Sequence, residues 1–86
     1  MSETLEQRIK DAVFDLFLGG DRSFPLEDDT NMIAAGICDS LGLVQLAADL
    51  ESKFGGLQIQ DQDITHENLG SVQAIAGFIR TAGVAS

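Results

Sequence analysis

The stretch Asp39-Ser40-Leu41-Gly42-Leu43-Val44-Gln45-Leu46-Ala47-Ala48-Asp49-Leu50-Glu51-Ser52-Lys53-Phe54 decides the fold. Its apolar residues do not alternate. At about 100° per residue, Leu43, Leu46, Ala47, Leu50 and Phe54 gather in one stripe, as on an amphipathic helix. Asp39 is a favoured N-cap type, Lys53 suits a last turn, and Gly55-Gly56 supplies backbone permissive enough to end a helix. The stretch therefore predicts a helix that opens after Asp39 and runs through Phe54. Leu41, Val44 and Ala48 form a second apolar ridge on another side of it, so this helix has more apolar surface than one core contact needs.

Upstream of this helix, Gly19 to Asp39 contains Pro25, the acids Glu27, Asp28 and Asp29, and scattered apolar residues Phe24, Leu26, Met32, Ile33 and Ile37, with no sustained period. That pattern predicts a long loop. Loops beyond roughly 12 to 15 residues in a compact domain are usually functional or disordered. The recurring apolar residues here predict an ordered loop pinned to a core. Before it, Leu5, Ile9, Ala12, Val13, Leu16 and Phe17 fall at helical spacing and predict a first helix from about Thr4 to Leu18. Thr4 and Gln7 have the spacing of a capping box, and Gly19-Gly20 closes the helix. Phe14 falls opposite the stripe.

Downstream, Leu57-Gln58-Ile59 reads as a short extended stretch, and Asp61 to Leu69 carries at most a short helical turn around Ile64. Ser71 is placed to cap a last helix in which Val72, Ile75, Ala76 and Ile79 share a face, ending near Gly83. The expected fold is all-α: a small helical bundle of three main helices plus one short helix, with a long first loop. Residues 1–86 are read as a single domain, because 86 residues leave room for one modest core. With 44% apolar residues but only five Phe, no Trp and no Tyr, that core must be aliphatic.

Charge and cysteine usage narrow the function classes. Fourteen acids against five Lys and Arg give a formal charge of −9, which repels nucleic-acid backbones and anionic lipid surfaces and favours encounter with basic protein surfaces. Cys38 is the only cysteine, so the chain forms no internal disulfide and has no thiolate cluster for zinc. The opening Met1-Ser2-Glu3-Thr4 lacks a basic region followed by an apolar run, and no segment approaches the roughly 18 apolar residues of a membrane span. A cytoplasmic protein is expected, with no metal, no nucleic acid and no membrane among its partners.

The segment Gly36-Ile37-Cys38-Asp39-Ser40-Leu41 resembles the signature of acyl and peptidyl carrier proteins, in which Asp-Ser-Leu opens the second helix and the serine carries 4′-phosphopantetheine. The resemblance extends over nearly the whole chain: a first helix, a loop containing Asp28-Asp29-Thr30, the motif, Leu50-Glu51-Ser52-Lys53-Phe54-Gly55, Leu57-Gln58-Ile59, and the closing Ser71-Val72-Gln73-Ala74-Ile75. It implies a non-catalytic, monomeric carrier with covalent phosphopantetheine on Ser40. By the same resemblance, Asp39 is recognised by the phosphopantetheinyl transferase, which uses magnesium and coenzyme A, and Leu41, Val44, Ala48 and Glu51 lie on a partner-docking strip. Partners of that kind are the transferase, an acyl or aminoacyl ligase, and downstream synthase or transferase enzymes. A phosphodiester on Ser40 would sit at the positive end of a helix dipole, which physically favours it.

Helix two carries Gln45, Asp49, Glu51 and Ser52, with fewer acids than is common in fatty-acid carriers. The runs Asp39 to Leu46 and Ile64-Thr65-His66-Glu67-Asn68-Leu69 look closer to stand-alone aminoacyl or specialised acyl carriers. Gly55-Gly56 and Gln60, where a proline is common, also depart from the family pattern. Three other classes share features with the chain. Cys38-Asp39-Ser40-Leu41-Gly42 is one residue from a Gly-x-Ser-x-Gly nucleophile elbow, yet that elbow needs a strand before the serine and a sheet beneath it. Asp61, Asp63 and Thr65 alternate like the start of a calcium loop, but His66 stands where glycine is needed and Val72 where an acid is needed. The remaining alternative is an interaction domain without a prosthetic group. Cys38 is expected to be a packing residue and His66, the sole histidine, a solvated one.

Overall fold

In a computed structural model of the chain, residues 4–21 and 23–83 are described. They form four α-helices: α1 (Leu5–Phe17), α2 (Ser40–Lys53), the four-residue α3 (His66–Leu69) and α4 (Val72–Thr81), with a 3-10 turn at Asp61–Asp63. No strand occurs among the described residues. The all-α expectation holds, as do the three main helices and the short fourth. The helical turn expected around Ile64 is instead two pieces on either side of it, the 3-10 turn and α3.

Each main helix starts where a side-chain oxygen replaces a missing backbone partner. Thr4 accepts from the Gln7 amide, Asp39 from that of Gly42, and Ser71 from that of Ala74. Only half of the expected capping box forms at Thr4, because the Gln7 carboxamide donates to Asp11 one turn further on. Positive φ at Gly19, Gly20 and Gly56 turns the chain after α1 and α2, a conformation that side chains with a Cβ rarely adopt.

The core is aliphatic. Ile9 and Val13 of α1, Leu46 and Leu50 of α2, Leu69 of α3, and Val72, Ile75 and Ile79 of α4 have almost no solvent exposure. The predicted stripes of α2 and α4 are buried throughout, including Leu43, Ala47, Phe54 and Ala76. On α1 the stripe needs correction. Leu16, in its last turn, is 37% exposed, whereas Phe14, opposite the stripe, is buried. The cause is the loop: it turns back at Gly19-Gly20, donates the Gly20 amide to the Phe14 carbonyl, and sends Leu26 into the core with Phe24 packed against it. The end of α1 is thereby covered from a side that its own periodicity does not mark.

The long first loop is pinned at both levels that its composition suggested. Leu26 and Met32 are buried in the common core. Its backbone is also tied to the far end of the chain: the Met32 amide donates to the Gly70 carbonyl at 2.8 Å, and the Gln73 amide donates to the Asp28 carbonyl at 2.8 Å. The second bond satisfies an orphan amide in the first turn of α4. A Lys10–Asp28 ion pair of 3.0 Å and an Arg80–Glu6 pair of 2.9 Å join α1 to the loop and to α4.

Candidate functional site at the loop to helix junction

Ser40 is the first residue of α2 and is exposed. No hydrogen bond among the described residues engages its hydroxyl. Asp39 before it is extended, with φ −116° and ψ −168°, and its Oδ1 accepts the Gly42 amide at 2.9 Å. That bond uses one of the free amides of the first turn and leaves those of Ser40 and Leu41 at the positive end of a 14-residue helix. An anionic diester on the Ser40 oxygen would meet unpaired N–H donors there, and nothing covers the hydroxyl that would carry it. The residues present thus fit a phosphate-linked group at Ser40.

The approach to Ser40 is set by the segment before it. Asn31 accepts the Ile33 and Ala34 amides on its side chain, the Ala35 amide returns to the Asn31 carbonyl, and Gly36 at φ 77° ends the turn. The Ile37 and Cys38 amides then both point at the Met32 carbonyl, at 2.9 and 3.4 Å. Since Met32 is itself fully buried, this arrangement anchors the junction to the core. The close approach of segment and helix depends on Gly42, which is buried. A Cβ there would lie 2.6 Å from the Cys38 Cβ and 3.2 Å from Cε1 of Phe17. This glycine was not singled out from the sequence, although a lone glycine in the first turn of a helix is a signal of close packing.

An open groove runs beside the junction, lined by Phe17, Ile33, Gly36, Ile37, Cys38, Asp39, Leu41, Gly42 and Gln45. Asp39 is its one charged member. Cys38 is half-buried in it, as expected of a packing residue, and burial first and the Asp39 charge second push its thiol above the ordinary range. The groove was not foreseen, because its walls come from α1, the loop and α2, which the sequence does not show to be neighbours.

Along α2, Leu41 is 73% exposed and Val44 50%, with Ala48 exposed on the same side. The predicted ridge is therefore on the surface, next to Ser40. Glu51 is exposed but engaged: its Oε2 accepts the Ile59 amide at 2.8 Å and ties the stretch after Gly55-Gly56 back to α2. His66 is exposed at the start of α3. Asp63 and Thr65 serve local turns, accepting the Gln60 and Asn68 amides respectively. Among the described residues no cluster of three or more His, Cys, Asp or Glu is placed to hold a metal ion, and no helix is long and apolar enough to cross a membrane.

A helical bundle with an exposed serine in the first turn of its second helix has the form of a carrier domain. Residues 18–79 match the family model described as phosphopantetheine attachment site. The match covers most of the chain, which belongs to this family and is a phosphopantetheine-carrying carrier protein. No curated protein and no solved structure matches the chain. Carrier domains of this family interact with phosphopantetheinyl transferases and biosynthetic enzymes and are typically non-catalytic.

Proposed function

We propose that Ser40 is the attachment residue, and that this chain presents an acyl or aminoacyl group to the enzymes of a biosynthetic pathway as a monomeric cytoplasmic carrier served by a dedicated ligase. The observation that carries the reading is the exposed, unengaged Ser40 hydroxyl in the first turn of α2, capped by Asp39, within the matched family region. When bound, phosphopantetheine supplies a thiol on a flexible arm, on which cargo is held as a thioester.

The chain's residues have separate tasks in this reading. Asp39 holds the first turn in shape through the Gly42 amide and offers the transferase a carboxylate beside the serine. The Ser40 and Leu41 amides, in the first turn of α2, would hold the diester. Leu41, Val44 and Ala48 are the apolar contact for the transferase, ligase and downstream enzymes, because they are exposed on the side of α2 nearest the serine. Glu51 borders this strip and also fixes the following loop through the Ile59 amide. Tethering raises the local concentration of cargo at whichever partner docks. The thin acidity of α2 supports partners other than the housekeeping fatty-acid enzymes, and aminoacyl and short acyl cargo are the two classes proposed.

Intact mass after co-expression with a promiscuous phosphopantetheinyl transferase tests the attachment. Wild-type protein is expected to gain one phosphopantetheinyl group, and Ser40→Ala to gain none while keeping its helical circular-dichroism spectrum. Modification that persists in Ser40→Ala would reject the assignment. The cargo is tested by offering the holo protein to fatty-acid synthase enzymes and to ligases that activate amino acids or short acids, with thioesters read by mass. Efficient chain elongation by the fatty-acid enzymes would overturn the dedicated-ligase reading.

A further inference from the structure

Gly70 joins α3 to α4 and is remote from Ser40 in the chain. It is the C-cap of α3, its amide donates to the His66 carbonyl at 2.9 Å, and the next residue, Ser71, caps α4. Its backbone, with φ −80° and ψ −7°, is in a region open to any residue, so conformational freedom does not explain the glycine. Room explains it. A Cβ at Gly70, which is buried, would collide with the carbonyl oxygen of His66, a backbone atom that cannot rotate aside. With no Cβ, the end of α3 sits close enough for the Gly70 carbonyl to accept the Met32 amide at 2.8 Å.

From Met32 the connection continues toward the serine through backbone groups. The Met32 side chain is fully buried, and its carbonyl accepts the Ile37 and Cys38 amides at 2.9 and 3.4 Å. Asp39 follows directly, holding the first turn of α2 through the Gly42 amide. The links are thus Gly70 to Met32, Met32 to Ile37 and Cys38, and Asp39 to the turn that carries Ser40. None of the first two depends on a flexible side chain, so a displacement at Gly70 has no rotamer in which to be absorbed.

We infer that Gly70 is a positioning residue for the loading of Ser40, acting through Met32 on the segment that aims Asp39 and the serine hydroxyl. The inference rests on Ser40 as the attachment residue. Loading forms a bond from the serine oxygen to the pantetheine-bearing phosphorus of coenzyme A, breaks the bond from that phosphorus to the nucleotide leaving group, and releases the serine proton. Such a displacement needs the oxygen in line, and a misplacement of about 1 Å costs up to about a hundredfold in rate. The ridge of Leu41, Val44 and Ala48 is carried by α2 itself and is not tied to Gly70. Aim and docking are therefore separable: an error of aim lowers kcat, whereas damage to the ridge raises KM.

Steady-state loading by a phosphopantetheinyl transferase and coenzyme A, read as gain of intact mass well below the melting temperature, tests this. Gly70→Ala is expected to lower kcat on the order of tenfold at unchanged KM for the carrier. It should also speed hydrogen exchange at the Ile37 and Cys38 amides. Ser71→Ala, one residue further on, removes the cap of α4 and leaves the Gly70 carbonyl in place; a lower melting temperature with wild-type kcat and wild-type exchange at those two amides is expected. Replacing the Met32 amide by an ester, in a chain assembled by ligation at Cys38, deletes the N–H that Gly70 accepts and keeps every side chain. The same loss of kcat at constant KM is expected, and this protein decides the matter if Gly70→Ala does not fold. Equal kcat in the ester and wild-type proteins would overturn the inference. So would a Gly70→Ala protein whose loading falls no further than that of Ser71→Ala, or whose defect lies in KM alone. Wild-type protein that gains no mass fails earlier, at the attachment itself.

Discussion

At the scale of single residues, the junction depends on what Gly42 lacks. Gly42→Ala places a methyl 2.6 Å from the Cys38 Cβ, and both atoms lie on ordered backbone, so relief requires the segment to move away from the helix. Overpacking of this kind costs about 1 to 3 kcal/mol. The expected outcome is a urea midpoint lowered accordingly, together with slower loading of Ser40 by the transferase, because the Asp39 cap is carried on the displaced segment. A normal loading rate in a destabilised Gly42→Ala would separate the packing from the presentation of the serine. The Asp39 cap and the place of Ser40 in the first turn were legible in the sequence because both are local features of one tripeptide. Gly42 and the groove were not, since their meaning lies in Phe17 and Ile33, which reach the site only through tertiary folding.

At the scale of the element, α2 carries two apolar faces of opposite fate, and a matched pair of substitutions distinguishes them. Leu46→Ala removes a fully buried side chain and is expected to cost on the order of 2 to 5 kcal/mol in a denaturant melt. Val44→Glu changes a half-exposed position and should leave stability within about 0.5 kcal/mol while slowing loading or cargo transfer. A large stability loss in Val44→Glu would assign the ridge to the core. Both faces were readable from periodicity, since α2 and α4 present their stripes to the core along their whole length. Periodicity failed on α1 at Phe14 and Leu16, where the covering element is an aperiodic loop. It also failed to resolve the stretch from Asp61 to Leu69, where short capped turns replace a repeating pattern.

At the scale of the whole molecule, α1 and α4 are joined by Glu6 and Arg80, and the Arg80 hydrogen bond holds the Glu6 carboxyl below its usual range. A carboxylate with a depressed folded-state pKa stabilises the fold above its unfolded value and loses that contribution as pH falls through the folded value. The melting temperature of Glu6→Gln is therefore expected to lie slightly below that of wild type at neutral pH, with the gap closing below about pH 4.3. A gap that stays constant down to pH 3 would remove the pair from the stability of the bundle. The formal charge of −9 acts over longer range and predicts that association with a basic partner slows as salt is added.

The two backbone bonds that pin the first loop, Met32 to Gly70 and Gln73 to Asp28, also set an order of events during synthesis. α1 and α2 are complete in the nascent chain before the residues that anchor the intervening loop have left the ribosome. Until Gly70 and Gln73 emerge, Met32 has no partner for its amide, and the turn that aims Asp39 and Ser40 is without its fixed end. A chain that ends before Gly70 therefore lacks the acceptor that fixes Met32, and the segment leading to Asp39 and Ser40 loses that tie to the rest of the fold.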